Sequence, residues 1–507
     1  MRLREMLTGF SPVFTSGSLE VEVRGVTLDS RRATPGDLFF ALPGARTDGN
    51  RYIRQAVGKG AVAVVSELKP PPAPMTLTRT DMPGESVAWI QVRDVLGAMS
   101  KAASTFFGDP SAGMVVIGVT GTTGKTSATY FLESIISRAG GVPGVIGTIG
   151  HRLRHRTLEK AVNTTPFSLD VTRLLARMRA QGATHVVMEV SSHALATGRV
   201  DEVHFDAGVM TNLQSDHLDF HKTREAYFAA KERLFELLER ADSAKTRRVA
   251  VLNRDDETYA RLRRRVLDVR IVTYGLGPEA DYAADGVVAG VAGSAFRLRL
   301  RERECAARIL LLGRHNVYNA LAAAAAASEV GFAPEDILEG LSALERIPGR
   351  LEAVDAGQGF SVLVDYAHTE SALAAVLAAL RGLPHRRIIT VFGCGGDRDK
   401  SKRGPMGAAA CSGSDLAFAT SDNPRGEDPI DILREIEAGI QAGGFENYRI
   451  VPDRTDAIRE AVRVAQDGDI VLIAGKGHED QQVIKDRTIR SDDREIARAA
   501  LKDLRRI

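Results

Sequence analysis

Cysteine is scarce and tryptophan scarcer: 507 residues carry three cysteines, Cys305, Cys394 and Cys411, and a single tryptophan. An odd, widely spaced trio gives neither a disulfide framework nor a zinc-binding spacing, and it suits a reducing compartment. An excess of one charge is also lacking. With 67 Lys and Arg against 65 Asp and Glu, the formal charge of +2 gives the whole chain no pull toward nucleic acid or an anionic membrane. The opening MRLREMLTGF has no signal-peptide core, and the apolar stretch Ala320 to Ala327 falls short of the about 20 residues that a bilayer requires. No solenoid-length repeat and no low-complexity tail stand out. These absences predict a cytoplasmic protein, with no membrane insertion and no nucleic-acid partner.

What the chain does have is length, enough for roughly three domains at about 100 to 200 residues each. The prolines Pro70, Pro71, Pro72 and Pro74 mark a loop. Phe107-Gly108-Asp109-Pro110 and Ile347-Pro348-Gly349-Arg350 read as boundaries, which divides the chain into 1–110, 111–347 and 348–507. The first part has short β-like runs such as Ala61 to Val65. In the second, the apolar runs Met114 to Val119, His185 to Val190, Phe205 to Met210 and Val249 to Leu252 alternate with helical patterns. Strands buried on both faces by crossover helices have this look, so a largely parallel sheet is expected. Ile388 to Phe392, Leu416 to Thr420 and Ile470 to Ala474 repeat the alternation in the third part. The fold class is α/β in three domains: an N-terminal α/β domain, a central P-loop ATPase-like domain and a C-terminal Rossmann-like domain.

The chemistry starts directly after the strand Met114 to Val119, with Thr120-Gly121-Thr122-Thr123-Gly124-Lys125-Thr126-Ser127 running into a helical pattern. A strand, a glycine-rich turn and a helix N-terminus together present N–H groups and a positive dipole end to phosphate. Lys125 can neutralise a terminal phosphate, and the Thr126 hydroxyl can ligate magnesium. The spacing is a variant, because Val119 stands where the usual pattern has its first glycine and Gly118 comes one residue too early. Glu189, at the end of the run from Thr184, is placed to be a second magnesium ligand at a neighbouring strand end. The polar cluster Thr211 to His221 holds His217 and His221, a spacing that would allow zinc on a helix, but it offers no third ligand; His217 beside a nucleotide site serves magnesium instead. By composition alone Lys231 is a solvent-facing helix lysine. These residues leave a P-loop switch or motor open.

Taken together, the pieces resemble the Mur ligases, ATP-dependent enzymes of bacterial peptidoglycan synthesis. The loop Thr120 to Thr126 has that family's glycine spacing. Asn163-Thr164-Thr165-Pro166, Glu189-Val190-Ser191-Ser192-His193-Ala194-Leu195, Gly313-Arg314-His315-Asn316-Val317-Tyr318-Asn319, Asp365-Tyr366-Ala367-His368-Thr369 and Gly475-Lys476-Gly477-His478-Glu479 follow in family order over nearly the whole chain. The resemblance implies addition of the third stem-peptide residue to UDP-N-acetylmuramoyl-L-alanyl-D-glutamate, in cell-wall biogenesis and hence cell shape and division. Thr27 to Arg31, with Leu28 and Ser30, and Asp48-Gly49 would be UDP-binding loops; without the resemblance they read as turn chemistry. Asn163, Thr164, Thr165, Ser191, Thr197 and Arg199 would hold the UDP-sugar peptide, Thr197 standing where the family commonly has glutamine. Gly121, Thr122, Thr123, Gly124, Lys125, Thr126, Ser127, Asn316, Asn319, Arg350 and Asp365 would bind ATP. Lys231 matches the lysine that carries a CO₂-derived carbamate, an anionic oxygen ligand suited to a dication. With His217 it would flank one of two magnesium ions, Thr126 and Glu189 holding the other. The catalytic set implied is Lys125, Glu189, His217 and Lys231, in a monomer.

Choice of the added amino acid rests on Ser421-Asp422-Asn423-Pro424-Arg425, just past the strand Leu416 to Thr420. In the family the arginine accompanies enzymes that add meso-diaminopimelate, and L-lysine enzymes typically lack it. Diaminopimelate is lysine with a second carboxylate, which a guanidinium fork pairs bidentately. Asp422, Asn423, Pro424 and Arg425, with Arg398, Gly475 and Glu479, would form that pocket. Gly404 stands where the family usually has proline after Lys402-Arg403, so a shifted loop is anticipated there. Addition of L-lysine and a folylpolyglutamate-type ligase are the neighbouring alternatives. Closure about Pro348-Gly349 is expected, because the substrates come from all three domains.

Overall fold

The structure is a computed structural model that describes residues 1–44, 47–71, 77–79, 86–214, 216–265, 268–290 and 293–504. Pro72 and Pro74 of the expected loop, and Ser215 of the polar cluster, lie outside the described residues. Three sheets follow one another along the chain.

In the first, Gly25–Thr27, Asp37–Phe40, Ala63–Ser66 and Ala88–Gln91 run parallel, and Phe14–Ser16 adds an antiparallel edge. The helix Val95–Phe107 closes this unit. Gly108 stops it in the left-handed conformation (φ +68°), with Asp109 (φ +42°) and Pro110 turning the chain into the next sheet.

The central sheet has a parallel core in the spatial order Arg270–Gly275, Val249–Asn253, Ala207–Met210, Val115–Thr120, His185–Glu189, Pro143–Gly147. Side chains of Val115–Thr120 alternate between two buried layers, which is why that run has no polar face. Ile117 and Val119 meet Phe131, Leu132, Ile135 and the Ala320–Ala327 run on one side; Val116 meets Leu174, Met178 and Phe235 on the other. The alanine run is the inner part of the helix Arg314–Glu329, buried all round because small side chains let it lie close to the sheet. Among the described residues no helix is long and apolar enough to cross a membrane.

The expectation of a largely parallel sheet needs one correction. The central sheet has eleven strands, with antiparallel wings at both edges: Gly150–Leu153 with Arg156–Glu159, and Tyr282–Gly290 with Gly293–Leu300 and Arg303–Ile309. Gly293–Leu300 and Arg303–Ile309 interleave buried with exposed residues, as half-solvated antiparallel strands do, and the polar residues in the wings break the continuous apolar runs seen in the core.

The third sheet has the order Glu352–Ala353, Ser361–Asp365, Ile470–Ala474, Ile388–Phe392, Leu416–Ala419, Tyr448–Ile450, parallel except at its first pair. A separate hairpin, Gln481–Ile484 with Arg487–Arg490, follows its fifth long strand in sequence. Gly404 lies in the helix Arg403–Gly413 where the helix Pro429–Ala442 crosses, and a Cβ on Gly439 would sit 2.2 Å from the Gly404 Cα.

Candidate active site

Val115–Thr120 is the earliest strand of the central parallel core and lies between Ala207–Met210 and His185–Glu189, so the chain reverses direction across the sheet there. The crevice at the carboxyl end of such a switch point is where open α/β sheets bind ligands. The phosphate loop occupies it. Gly121 (φ +140°) and Gly124 (φ +86°) are required, since a Cβ would come 1.8 Å from Thr211 Oγ1 at the first and 2.3 Å from Asn319 Oδ1 at the second. Val119 is buried strand, which explains why the first glycine of the usual pattern is missing. The helix begins at Lys125, so the last residues of the loop motif already form its first turn. The Lys125 ammonium donates to the carbonyls of Gly121 (2.9 Å) and Thr122 (3.0 Å). Burial pulls its pKa below the usual lysine range, against the opposing charges of Glu189 and Asp216.

Thr126 Oγ1 donates to Glu189 Oε2 at 2.9 Å, and Glu189 also accepts from the backbone N–H and hydroxyl of Thr148, each at 2.9 Å. Both Thr126 and Glu189 are buried, so two oxygen donors are held ready beside the loop. A cavity of about 270 Å³ opens from there toward the third sheet. Thr123, Gly124, Thr126, Ser127, Asn316, Asn319, Arg350 and Asp365 all line it, joining the middle and last parts of the chain. Thr122 turns away, its hydroxyl meeting Tyr227 OH at 3.1 Å. Asn253, Tyr274, His315 and Tyr318 line the same cavity and were missed. The signal was faint but present: Asn253 and Tyr274 are polar residues at strand ends, and His315 and Tyr318 lie within the Gly313 to Asn319 motif.

The sequence placed Lys231 on a solvent-facing helix surface, and this is wrong. It is 1% exposed, its amine donating to the Gly121 carbonyl at 2.7 Å and lying 4.4 Å from the Tyr227 ring centroid. Burial and the neighbouring Lys125 charge push its pKa well down, which favours a neutral amine. His217 stands at φ +55°, its Nε2 3.4 Å from Asp216 Oδ2 and its ring edge-on to His193. His221 is engaged elsewhere, with Nε2 3.0 Å from Ser192 Oγ.

A second cleft of about 650 Å³ separates the first sheet from the central one, lined among others by Leu28, Asn163, Phe167, Arg173 and His151. Thr164 reaches Thr148 at 3.0 Å, while Thr165 is buried, donating to the Glu189 carbonyl and accepting from the Ser191 N–H. Thr197 accepts from Arg199 Nε (3.1 Å), and Arg199 Nη1 donates to the Thr165 carbonyl, so Thr197 orients the arginine. Ser30 is buried against Gln55, away from the cleft lining. Asp29 and Asp48 do form local turns, accepting from the N–H groups of Arg31 and Asn50. His151, overlooked in the sequence, is buried on the cleft wall with Nδ1 lacking a hydrogen-bond partner among the described residues.

At the carboxyl ends of the third sheet, three loops meet: those after Ile388–Phe392, Leu416–Ala419 and Ile470–Ala474. Asp397 (φ +52°) and Arg425 (φ +51°) take left-handed conformations, unusual for residues with side chains and common where function fixes geometry. Arg425 Nη1 donates to the Gly396 carbonyl at 2.8 Å. Burial and the nearby Arg398 charge lower the Arg425 pKa, so the spot favours an incoming anion. Asn423 Nδ2 donates to Glu479 Oε2 at 2.8 Å, and burial beside Asp422 raises the Glu479 pKa. A Cβ on Gly475 (φ +114°) would approach Asp422 Oδ2 to 2.7 Å, so a glycine here lets the Gly475 to Glu479 loop lie close to the Asp422 to Arg425 loop. The hairpin 481–490 clamps them: Arg425 N–H donates to the Val483 carbonyl, Val483 N–H to Asn423 Oδ1, and Gln482 Nε2 to the Asp422 carbonyl.

Comparison with known proteins agrees with this architecture. Residues 22–107, 119–327 and 349–477 match the models described as Mur ligase family, catalytic domain; Mur ligase middle domain; and Mur ligase, glutamate ligase domain. A protein of Solibacter usitatus named UDP-N-acetylmuramoyl-L-alanyl-D-glutamate--2,6-diaminopimelate ligase is 48% identical, covering 95% of this chain and 94% of its own. One of the same name from Geobacter metallireducens is 45% identical over 99% of both chains. A solved structure of a ligase with that name superposes at a TM-score of 0.68, with 31% identity over 100% of this chain and 99% of its own.

Proposed function

The chain belongs to the Mur ligase family, and from that premise we propose how its three sheets share one reaction. It is an ATP-dependent ligase that adds meso-diaminopimelate to UDP-N-acetylmuramoyl-L-alanyl-D-glutamate in peptidoglycan precursor synthesis. Residues 1–110 take the UDP end of the precursor, 111–347 the ATP and the glutamyl carboxylate, and 348–507 the amino acid. The carrying observation is that the phosphate loop, the Arg350 and Asp365 wall and the Arg425 to Glu479 loops all lie at carboxyl ends of two facing parallel sheets. Every proposed site is complete within one chain, which supports a monomer, and the reading places it in the cytoplasm.

The reaction has two steps. The γ-phosphoryl of ATP passes to an oxygen of the D-glutamyl γ-carboxylate, giving an acyl phosphate and ADP; the neutral amine of diaminopimelate then attacks the acyl carbon, phosphate leaves, and the nitrogen loses a proton. Lys125 and the helix N-terminus behind it hold the migrating negative charge. Arg350 and Asp365, brought by the third sheet, close the nucleotide pocket and keep water from the acyl phosphate. Arg425 and Arg398 orient the distal carboxylate of diaminopimelate, and Glu479 its ammonium group.

The donor set fits magnesium: Thr126 Oγ1 and Glu189 Oε2 are paired hard oxygens 2.9 Å apart at the phosphate loop. We infer a second ion beside His217 and a carbamate on Lys231, whose burial pushes the amine toward the neutral form that adds CO₂. Bound there, the two cations would neutralise charge on the phosphates.

A phosphate-release assay with the UDP-linked dipeptide and each candidate amino acid tests the reading. Release that requires diaminopimelate supports it; release with no amino acid present favours an NTPase switch, and equal release with lysine overturns the amino-acid choice.

A further inference from the structure

We propose that Tyr366 is a positioning residue that makes amino-acid binding depend on nucleotide binding, its ring seating Arg350 of the nucleotide pocket and its hydroxyl holding Glu479 of the amino-acid pocket. This rests on the roles given above to Arg350 and Glu479.

The geometry carries it from both ends. Arg350 Nη2 lies 3.5 Å from Thr126 Oγ1, and its guanidinium carbon is 5.0 Å from the Tyr366 ring centroid. Its Nε–H is buried with no hydrogen-bond partner among the described residues, a donor that costs stability until a nucleotide oxygen accepts it. At the other end, the Tyr366 hydroxyl donates to Glu479 Oε1 at 3.4 Å, while Asn423 fixes the second carboxylate oxygen. His368 and His478 flank the ring at centroid distances of 4.7 and 5.2 Å, so its plane is set from two sides.

The backbone around the ring leaves no slack. Asp365 Oδ2 accepts from the Leu351 N–H at 2.7 Å, tying the interdomain linker to the tyrosine's own loop. A Cβ on Gly349 (φ +66°) would sit 2.1 Å from the His478 nitrogen, and one on Gly477 (φ +53°) 2.7 Å from the Tyr366 Cβ. Linker, tyrosine and amino-acid loop are therefore packed backbone to backbone, and close-packed parts switch between arrangements together rather than deforming one at a time. A nucleotide that draws Arg350 toward its phosphates moves the cation resting on the ring; the ring's hydroxyl then settles the Glu479 carboxylate where an ammonium group docks.

The test is calorimetric, on the full chain with magnesium, the UDP-linked dipeptide and a non-hydrolysable ATP analogue. Diaminopimelate should bind about tenfold tighter with the analogue present, and by linkage the analogue should gain the same factor from diaminopimelate. Tyr366→Phe keeps the ring and loses only the hydroxyl bond. Its coupling should fall below about twofold, with the diaminopimelate KM raised, kcat at saturation little changed and the analogue affinity without amino acid intact. Tyr366→Leu should lose the coupling and weaken the analogue as well. No coupling in the unmodified protein, or full coupling in Tyr366→Phe beside a weakened Glu479→Gln, overturns the relay alone. An unaltered diaminopimelate affinity in Glu479→Gln overturns the amino-acid site and removes the relay's end point with it.

Discussion

The proposed nucleotide site and the proposed amino-acid site are built in opposite ways. The first stands on a strand end and a helix N-terminus, with Thr126, Glu189 and Lys231 all buried and two glycines fixed by steric necessity. The second is made of loops, with two side-chain-bearing residues in left-handed backbone and a hairpin holding them from outside. Chemistry common to every turnover is placed on rigid elements, and the selection of one amino acid from another is placed on loops whose clamps can differ between enzymes without disturbing the sheet.

If that contrast is right, damage to the rigid site should abolish turnover, and damage to the loop site should redirect or weaken binding. Lys125→Ala should lower kcat by about a thousandfold or more while circular dichroism stays unchanged, as when a positioned transition-state charge is removed. Near-normal turnover in the folded variant would sink the nucleotide-site assignment. Lys231→Ala should be close to inactive, with partial recovery when a small carboxylate is supplied in solution. Labelled with ¹³CO₂, the unmodified protein should show a carbamate carbon resonance that the variant lacks.

At the loop site the effects should be smaller and selective. Lysine should be poorer than diaminopimelate by at least about a hundredfold in kcat/KM, because a site built to pair a carboxylate leaves its guanidinium unpaired with lysine. Arg425→Ala should raise the diaminopimelate KM and narrow that gap without making a good lysine enzyme, since Arg398 and Glu479 remain. An unchanged preference in the variant contradicts the pocket.

The smallest effect lies behind the phosphate-loop helix, where Glu133 is buried against Arg152 and approached by His155. The hydrogen bond to Glu133 raises the His155 pKa above its ordinary 6.5. A raised pKa means stability present below the unfolded value and lost as pH climbs through the folded one. The destabilisation caused by His155→Gln should therefore be largest below about pH 6.5 and shrink as the pH rises; a penalty that grows with pH would show the pair is not charged.

The parallel strands were legible because burial on both faces leaves continuous apolar runs: Ile388–Phe392 and Ile470–Ala474 have in the structure the bounds read from the sequence. The antiparallel wings and the hairpin 481–490 were not, since half-exposed strands carry weaker patterns and the hairpin's Arg487–Arg490 strand is exposed throughout. Gly121 and Gly124 announced the phosphate loop; nothing local announced that Lys231 is buried, because the carbonyl that receives its amine comes from the distant loop at Gly121, and Tyr227 of its own helix covers only one side.

Local sequence by itself determined the parallel cores and the phosphate loop, whereas the Asp422 to Arg425 stretch pointed to a kind of amino acid only through the resemblance to the Mur ligases. The cores and the loop depend on periodicity and on glycine's access to left-handed backbone, both of which neighbouring residues specify. Tertiary structure alone decided which groups meet across long separations: Arg350 with Thr126, Tyr366 with Glu479, the hairpin with Arg425. Burial, and with it the shifted pKa of Lys231, was also decided there, because the desolvation of a charge is a property of what surrounds it and not of the chain that carries it.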